Sequence, residues 1–267
     1  MLRGPSAQAL DELAKKVGSS RTLADAATMG DQLFAVASLL RADPALRRVA
    51  TDTSLPSEVK QGLARDLFKG KLGDGSMAIV ESAVERRWTS PGDLPDALER
   101  LSEIALVQSV GAKSGQLADE LFGVAQTIPA NWELRDALSN PSRTVDDKAK
   151  LVEDIFGDQA LPATVALTKQ ALAGTYGTVG AALEAYREVA TAVRGEAVAT
   201  VWVVQHLDDA ERERLRDALA KQYGRDIHLN EIVDPGVIGG IRVEIADDVI
   251  DGTMAGRLDD ARRRLAN

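Results

Sequence analysis

An internal repeat in the first two thirds of the chain limits the possible folds more than any other feature. Residues 31–68 match residues 119–156 without a gap at an offset of 88, with 13 identities among 38 positions. The identities include the polar pair Lys60 and Lys148. Chance similarity between amphipathic helices would match the leucines, but not polar residues in the same frame. The repeat therefore predicts one structural unit that occurs twice.

The repeat extends farther along the chain, although its two copies are not complete equals. The segment ALERLSEIA at 97–105 matches ALEAYREVA at 182–190 at an offset of 85, so the second copy is three residues shorter. An amphipathic run with Leu10 and Leu13 precedes the first copy, whereas a glycine-containing stretch at 111–115 precedes the second. We expect the first helix of the second copy to be missing, or to be supplied by an extension of the preceding helix.

The spacing of apolar residues between 5 and 194 predicts helix after helix. Leu33, Ala37 and Leu40, for example, lie at i, i+4 and i+7 and share one helical face. Helix breakers separate these runs at Asp43-Pro44, at Leu55-Pro56, between Gly70 and Gly75, and at Ser90-Pro91-Gly92. Helices joined by such short loops are typical of compact antiparallel bundles.

The pattern changes near Gly195, where β-branched residues replace the helical period. The first predicted elements are a strand at 197–204 and a helix that runs from the capping-box pair Asp208 and Glu211 to Tyr223. A β segment from Ile227 and a strand at 237–245 follow. The last predicted elements are a short return strand at Val249-Ile250 and a helix at about 253–265. The sequence thus predicts a mostly α, α+β fold with two tandem helical bundles and a small mixed α/β domain. The expected domains are 1–112, 113–195 and 196–267.

Composition excludes several classes of function. The net charge of −9 disfavours binding to nucleic acid or to anionic lipid, because both carry negative charge. The absence of cysteine excludes disulfides and thiolate metal sites, and makes the cytoplasm the simplest compartment. No stretch approaches the roughly 20 apolar residues that a membrane-spanning helix needs. We therefore expect any membrane association to be indirect.

Few residues suggest chemistry, and a structural role explains each of them better. Gly239-Gly240 lacks the spacing of a phosphate-binding loop and lies within a strand pattern, where a bulge or close packing is expected. The string from Gly111 to Ser114 also lacks that spacing. The aspartates Asp247, Asp248 and Asp251 could suggest a metal, but turn and helix-cap roles account for them. We expect no catalytic, cofactor or metal site.

The histidines, tryptophans and a basic C-terminal cluster also have simple structural explanations. His206 and His228 lie beside predicted strands with no nucleophile or carboxylate motif, so surface or packing roles are expected. The tryptophans Trp88, Trp132 and Trp202 lie on apolar faces and are expected in the core. The cluster formed by Arg257, Arg262, Arg263 and Arg264 either compensates a helix dipole or attracts an acidic partner helix.

The stretch VDPGVIGGIRVEIADDVIDGTMAGRLDDARRRL at 233–265 resembles the ATP synthase delta subunit family, which includes the oligomycin-sensitivity-conferring protein. The matching elements are Asp234 and Pro235 in a turn, Gly239 and Gly240 before Ile241-Arg242-Val243, a return strand, Asp251 and Gly252 before Thr253, and Arg257 and Leu258 in the last helix. Thr253 replaces the usual serine and keeps the hydroxyl. Unlike a usual family member, the chain has an additional copy of the helical bundle, as in longer actinobacterial forms.

The resemblance implies a non-catalytic subunit of the peripheral stalk of a proton-translocating F-type ATP synthase. Its implied partners are the N-terminal helices of the alpha subunits, held in hydrophobic grooves of the bundle, and the b-type stalk subunits, held by the C-terminal domain. The implied location is the cytoplasmic face of the cell membrane, reached through the complex. The alternative from another class is a soluble helical adaptor unrelated to the synthase, which would leave 233–265 unexplained.

Overall fold

The structure is a computed structural model that describes residues 2–18, 22–194, 197–223, 227–237, 239–245 and 248–251. Clustering by backbone contacts divides the chain into two compact units, residues 1–190 and residues 191–267. The first unit is helical in its described part and the second combines strands with a helix. The predicted mostly α, α+β fold class is confirmed.

The helical region begins near the N-terminus and continues to Arg194. Its helices are α1 (Pro5–Val17), α2 (Leu23–Ala42), α3 (Pro44–Thr51), α4 (Ser57–Phe68), α5 (Asp74–Glu85), α6 (Asp93–Gln108), α7 (Ser114–Ala130), α8 (Trp132–Ser139), α9 (Val145–Phe156), α10 (Pro162–Ala171) and α11 (Val179–Arg194). Each predicted breaker lies at a junction between two of these helices, with Pro44 as the first residue of α3 and the end of the 70–75 stretch in the first turn of α5. A short 3₁₀ turn, Gly111–Lys113, leads into α7.

The sequence repeat is also a repeat of secondary structure. Helices α3 and α4 recur as α8 and α9, with both ends of each helix displaced by the same 88 positions that relate the two sequences. The repeat preserves the local cause of helix initiation. The side chain of Asp43 accepts hydrogen bonds from the second and third N–H groups of α3, and that of Asn131 does the same for α8. One architectural unit is thus built twice.

Two apolar cores lie within the helical region, and α6 contributes to both. The first core includes Leu13, Leu33 and Leu101, none of which is exposed to solvent. The second core begins with Leu106 and Val107 near the end of α6 and continues through α7 to α11. We call the helices around the first core, α1 to α6, the first bundle, and those around the second core, α6 to α11, the second bundle.

Helix α6 occupies the place in the second bundle that α1 occupies in the first. It packs against α10 as α1 packs against α5. The sequence ALDEL at 9–13 of α1 is displaced by 88 from ALERL at 97–101 of α6, and the later match at 182–186 reads ALEAY in α11. The second copy therefore has no first helix of its own, and the expected extension of the preceding helix is not what replaces it: α6 itself takes that place and, at 16 residues, is no longer than its counterpart α11.

The second unit contains a four-stranded mixed sheet. Its elements are β1 (Ala197–Val203), α12 (Asp209–Tyr223), β2 (Ile227–Val233), β3 (Arg242–Ile245) and β4 (Asp248–Asp251). The strand order is β2-β1-β3-β4, with β1 parallel to β2, β3 antiparallel to β1 and β4 antiparallel to β3. The parallel pair is joined by α12, whose Leu215 and Leu219 pack on the sheet. In the described residues, the predicted strand, helix and three following β segments occur in the predicted order.

The third strand is shorter than predicted. The alternation of apolar and polar residues indicated a strand at 237–245, but pairing begins at Arg242. Gly239 and Gly240 have φ angles of +66° and +81°, which lie outside the extended region, so these glycines bend the chain before the strand. The predicted final helix at about 253–265 lies outside the described residues.

Candidate binding surfaces

The first bundle carries an open groove with a mixed polar and apolar lining between α1, α2 and α5, which we call the first groove. Its volume is about 750 Å³. It is lined by Lys16, Asp25, Thr28, Met29, Gln32, Gly73, Asp74, Gly75, Ser76, Ala78, Ile79 and Ser82. Gln32 accepts a hydrogen bond from the backbone N–H of Gly73 at 3.0 Å, so a side chain from α2 holds the start of α5.

A second groove of about 400 Å³ lies where α10 begins. It is lined by Leu23, Ala24, Ala27, Asp31, Leu106, Ser109, Val110, Lys113, Leu161, Pro162, Ala163 and Ala166. Its α10 wall corresponds through the 88-residue repeat to the α5 wall of the first groove, with Gly73-Asp74-Gly75 replaced by Leu161-Pro162-Ala163. The second groove is therefore the more apolar counterpart of the first, with α2 providing an additional wall.

Helix α6 buries a carboxylate, Glu99, where the two bundles meet. Glu99 is 1% exposed and forms an ion pair with Arg41 of α2. It also accepts hydrogen bonds from the backbone N–H of Thr175 at 3.2 Å and from the Thr175 hydroxyl at 2.9 Å. One carboxylate therefore joins a cation of the first bundle to the loop between α10 and α11. The sequence analysis did not single out this residue.

A second buried carboxylate, Glu103, lies one turn farther along α6. It is fully buried, forms an ion pair with Arg100 at 2.7 Å and accepts a hydrogen bond from the Tyr176 hydroxyl at 2.9 Å. Burial raises the pKa of Glu103 to about 7, although Arg100 and Tyr176 both favour its ionised form. Between the two carboxylates, the Ser102 hydroxyl accepts a hydrogen bond from the Gln170 side chain at 2.9 Å.

The resemblance-based residues of the small unit fall partly inside the structure. Asp234 and Pro235 form the turn after β2, where the Asp234 carboxylate accepts a hydrogen bond from the Gly236 N–H at 2.8 Å. The Asp234 N–H also donates to the carbonyl of Val203, which ties this turn to the end of β1. Gly239 and Gly240 follow in the same connection, and Asp251 ends β4. Gly252, Arg257 and Leu258 lie outside the described residues.

The geometry around the glycine pair does not resemble a phosphate site. Gly239 and Gly240 lead into β3, whereas a phosphate loop leads into a helix N-terminus. Across the residues that the structure describes, no group of three or more His, Asp or Glu side chains is placed to hold a metal ion. Asp248 is the first residue of β4 and pairs with Ile245 of β3, whereas Asp247 lies outside the described residues.

The connection from β1 to α12 is organised by Glu231 of β2. Its carboxylate accepts hydrogen bonds from the Leu207 N–H at 3.0 Å and from Arg212 at 3.1 Å, and lies 2.8 Å from Nδ1 of the exposed His206. Burial alone would raise the pKa of Glu231, but these hydrogen bonds outweigh it and lower the pKa. His206 thus has the predicted surface role. The side chain of His228 is outside the described set.

The tryptophan prediction is right for one residue and wrong for another. Trp88 is buried and donates a hydrogen bond from Nε1 to the Ala83 carbonyl at 2.9 Å. Trp202 is half-buried beneath the Arg242 guanidinium, 5.0 Å from the ring centroid. Trp132 is 68% exposed, because it is the first residue of α8, where the equivalent residue of α3 is a proline.

No helix within the described ranges is both long and apolar enough to cross a membrane.

Comparison with known proteins places the chain in one family. The family model for the ATP synthase delta (OSCP) subunit matches residues 101–265. The chain is 52% identical to ATP synthase subunit delta of Nocardioides sp. (strain ATCC BAA-499 / JS614) over 267 residues, with 99% of this chain and 97% of the relative covered. It is 38% identical to the Streptomyces coelicolor protein of the same name, with 100% and 99% covered, and 32% identical to that of Thermobifida fusca, with 99% and 100% covered. The chain belongs to the ATP synthase delta (OSCP) family.

Proposed function

We propose that this chain is the stator subunit that joins the catalytic head of an F-type ATP synthase to its peripheral stalk. The observation that carries the proposal is the match of residues 101–265 to the delta (OSCP) family model, together with relatives named ATP synthase subunit delta that align along the whole chain. The adaptor alternative does not explain these matches. Within the complex, the subunit lies at the cytoplasmic face of the membrane and makes or breaks no covalent bond.

We assign different tasks to the three expected parts of the chain. We take the expected boundaries, 1–112, 113–195 and 196–267, as the working division. The family match begins at residue 101, so it includes most of the second bundle and of the small domain, but only the end of α6 from the first bundle. On this basis the second bundle performs the usual role of the family bundle, and the first bundle is the additional copy that lengthens or stiffens the stalk.

The partner of the second bundle is an amphipathic N-terminal helix of an alpha subunit, and its site is the second groove. Support comes from the apolar lining of that groove, where Leu161, Pro162 and Ala163 replace the polar and glycine positions of the first groove. An amphipathic helix binds such a surface with apolar residues at i, i+3 and i+4. The small domain holds the end of the b-type subunit.

Several moderate contacts made by one chain suffice for a stator. Once one partner is bound, the next binding event is effectively intramolecular and benefits from a high effective concentration. The subunit resists the torque of the rotor because its packed cores deform little under load.

Binding of an alpha-subunit N-terminal peptide, measured by isothermal titration calorimetry with the full chain, tests the proposed groove. We expect Ala166→Asp to weaken binding by about tenfold or more, because it places a charge in an apolar site. Ala78→Asp changes the repeat-equivalent position in the first groove and is the matched control. Equal loss in both variants, or loss in neither, would reject the second groove as the site.

The stator role itself is tested by affinity capture from detergent-solubilised membranes with the tagged full-length chain. The expected result is recovery of alpha and b-type subunits in one complex, detected by mass spectrometry. Assembly of coupled ATP synthase in cells that lack this chain would overturn the proposal, whatever the result for the groove.

A further inference from the structure

The last helices of the two repeat copies, α6 and α11, differ in how deeply their equivalent polar residues are buried. On α11, Glu184 and Glu188 occupy the positions that correspond to Glu99 and Glu103 of α6 through the 85-residue match. Glu184 and Glu188 are exposed, as expected for the polar face of a terminal helix. Glu99 and Glu103 are almost completely buried. The same sequence positions are therefore solvated where the array ends and buried where another bundle follows.

Helix α6 is buried on two faces. Leu98 and Leu101 belong to the first core, while Glu99, Ser102 and Glu103 on its polar side are also buried. A helix that is buried all round must satisfy its polar side chains within the protein. The Gln170, Thr175 and Tyr176 groups described above supply hydrogen bonds to that face from the second bundle.

We propose that α6 is a helix shared by both bundles, and that Glu99, Ser102 and Glu103 form a polar latch that holds the two bundles as one rigid body. The family match begins at residue 101, inside α6, which agrees with α6 acting as the first helix of the second bundle. The inference goes beyond the stator role, because it rests on contacts within residues 1–190 and requires no partner protein.

The hydrogen bonds of the latch fix the relative orientation of the two bundles, which apolar contacts alone would not do. Hydrophobic contacts are non-directional, so two apolar faces can slide or rotate with little change in buried area. Buried carboxylates, in contrast, satisfy their hydrogen-bonding capacity only in one arrangement of donors. Glu99 is held from the first bundle by Arg41 and from the second-bundle side by Thr175, so relative rotation of the bundles breaks a charge-assisted bond.

A distance measurement across the two bundles tests the latch directly. The chain has no cysteine, so Asp66→Cys in α4 and Asp154→Cys in α9 place nitroxide labels at repeat-equivalent exposed positions. Pulsed electron spin resonance on the full chain should give one narrow distance distribution. Combining Glu99→Gln with Tyr176→Phe, which removes the charge of Glu99 and the hydroxyl donor to Glu103, should broaden or split that distribution.

Two controls separate loosening of the latch from unfolding. A label pair within the first bundle, Ala35→Cys with Asp66→Cys, should keep a narrow distribution in every variant. Glu81→Gln removes an ion pair with Arg65 that lies within the first bundle, and it should leave the distance across the bundles unchanged.

Two outcomes would overturn the proposal: a broad distribution in the otherwise unaltered chain, or a narrow distribution that persists in the latch variants. If the pair within the first bundle also broadens, the milder variants Thr175→Ala and Tyr176→Phe, tested singly, decide the question. Each removes one hydroxyl donor to the latch and leaves both carboxylates in place.

Discussion

A Cβ atom added at Gly174 would collide with the Glu99 carboxylate, so a larger residue fits there only if the Glu99 side chain moves. A Cβ atom there would be 2.1 Å from Oε1 of Glu99 and 3.1 Å from the Gln170 carbonyl oxygen. Because Glu99 is held by Arg41 and Thr175, it cannot move aside without breaking those bonds. We expect Gly174→Ala to lower the free energy of unfolding by about 1–3 kcal/mol, as overpacking does elsewhere.

Urea unfolding followed by circular dichroism measures this change. Gly123→Ala is the matched control, since a Cβ at Gly123 meets no atom within 4 Å and the residue lies inside α7. That control should stabilise the protein by up to about 1 kcal/mol, because alanine has the higher helix propensity. Equal effects of the two substitutions would show that Glu99 is free to move.

The titration of Glu103 gives a second residue-scale prediction. Its pKa is about 7 in the folded protein, against an ordinary value of 4.5, so the folded state binds more protons between these limits. Its contribution to stability is therefore fully present below pH 4.5 and is lost as pH rises through 7. The groups that face it are Arg100 and Glu99 on α6, Tyr176 in the loop between α10 and α11, and Tyr186 on α11.

Glu103→Gln removes this titration while keeping the side-chain shape. The unfolding free energy of the original protein, relative to Glu103→Gln, should fall by up to about 3 kcal/mol between pH 4.5 and pH 8, at about 1.4 kcal/mol per pKa unit. Chemical unfolding across this pH range provides the measurement. A difference that stays constant with pH would mean that Glu103 does not titrate in this window.

At the scale of helices and strands, local signals in the sequence explain most of the element boundaries. Proline, glycine and Asx residues at the predicted breakers interrupt the helical hydrogen bonds, so the interruptions appear where they were expected. The predicted strand at 237–245 is too long. Alternation of apolar and polar residues indicates which side chains share a face of the sheet, but it does not indicate the backbone φ angle, and Gly239 and Gly240 have positive φ. The prediction that Trp132 lies in the core is wrong, because apolar character alone does not reveal that a residue is at the start of a helix.

The double role of α6 was the harder feature to predict. Its sequence has one strong apolar face, which is all that membership of a single bundle requires. Burial of Glu99 and Glu103 depends on contacts with residues about 70 positions later in the chain, and no local pattern encodes them. The available signal was the match of ALERL in α6 to both ALDEL in α1 and ALEAY in α11.

The equivalent helix caps provide a prediction at the scale of elements. We expect Asp43→Ala and Asn131→Ala each to reduce the free energy of unfolding by about 1 kcal/mol, because each removes the oxygen that accepts two backbone N–H groups. Thermal unfolding of both variants measures the effect. Asp43→Asn keeps an accepting oxygen and is the control, so a loss as large as that of Asp43→Ala would show that the cap bond is not the cause.

At the scale of the whole molecule, a shared helix changes what counts as an independent part of the chain. A boundary at 112/113 follows the sequence repeat, but it separates α6 from Gln170, Thr175 and Tyr176, to which its polar face is bonded. It also removes Leu106 and Val107 from the second core. We therefore expect the folding unit of the second bundle to begin one helix earlier than the boundary that the repeat suggests.

This difference predicts opposite behaviour for two fragments. A fragment of residues 113–195 should show little cooperative unfolding, because its second core and its polar donors face water where α6 was. A fragment of residues 93–194 retains α6 and should unfold cooperatively, with helical circular dichroism typical of a packed bundle. Leu94→Glu and Leu98→Lys on the longer fragment replace side chains of the first core and keep the newly exposed face soluble. Cooperative unfolding of the shorter fragment at the same urea midpoint would contradict the shared helix, since α6 would then add nothing to the second bundle.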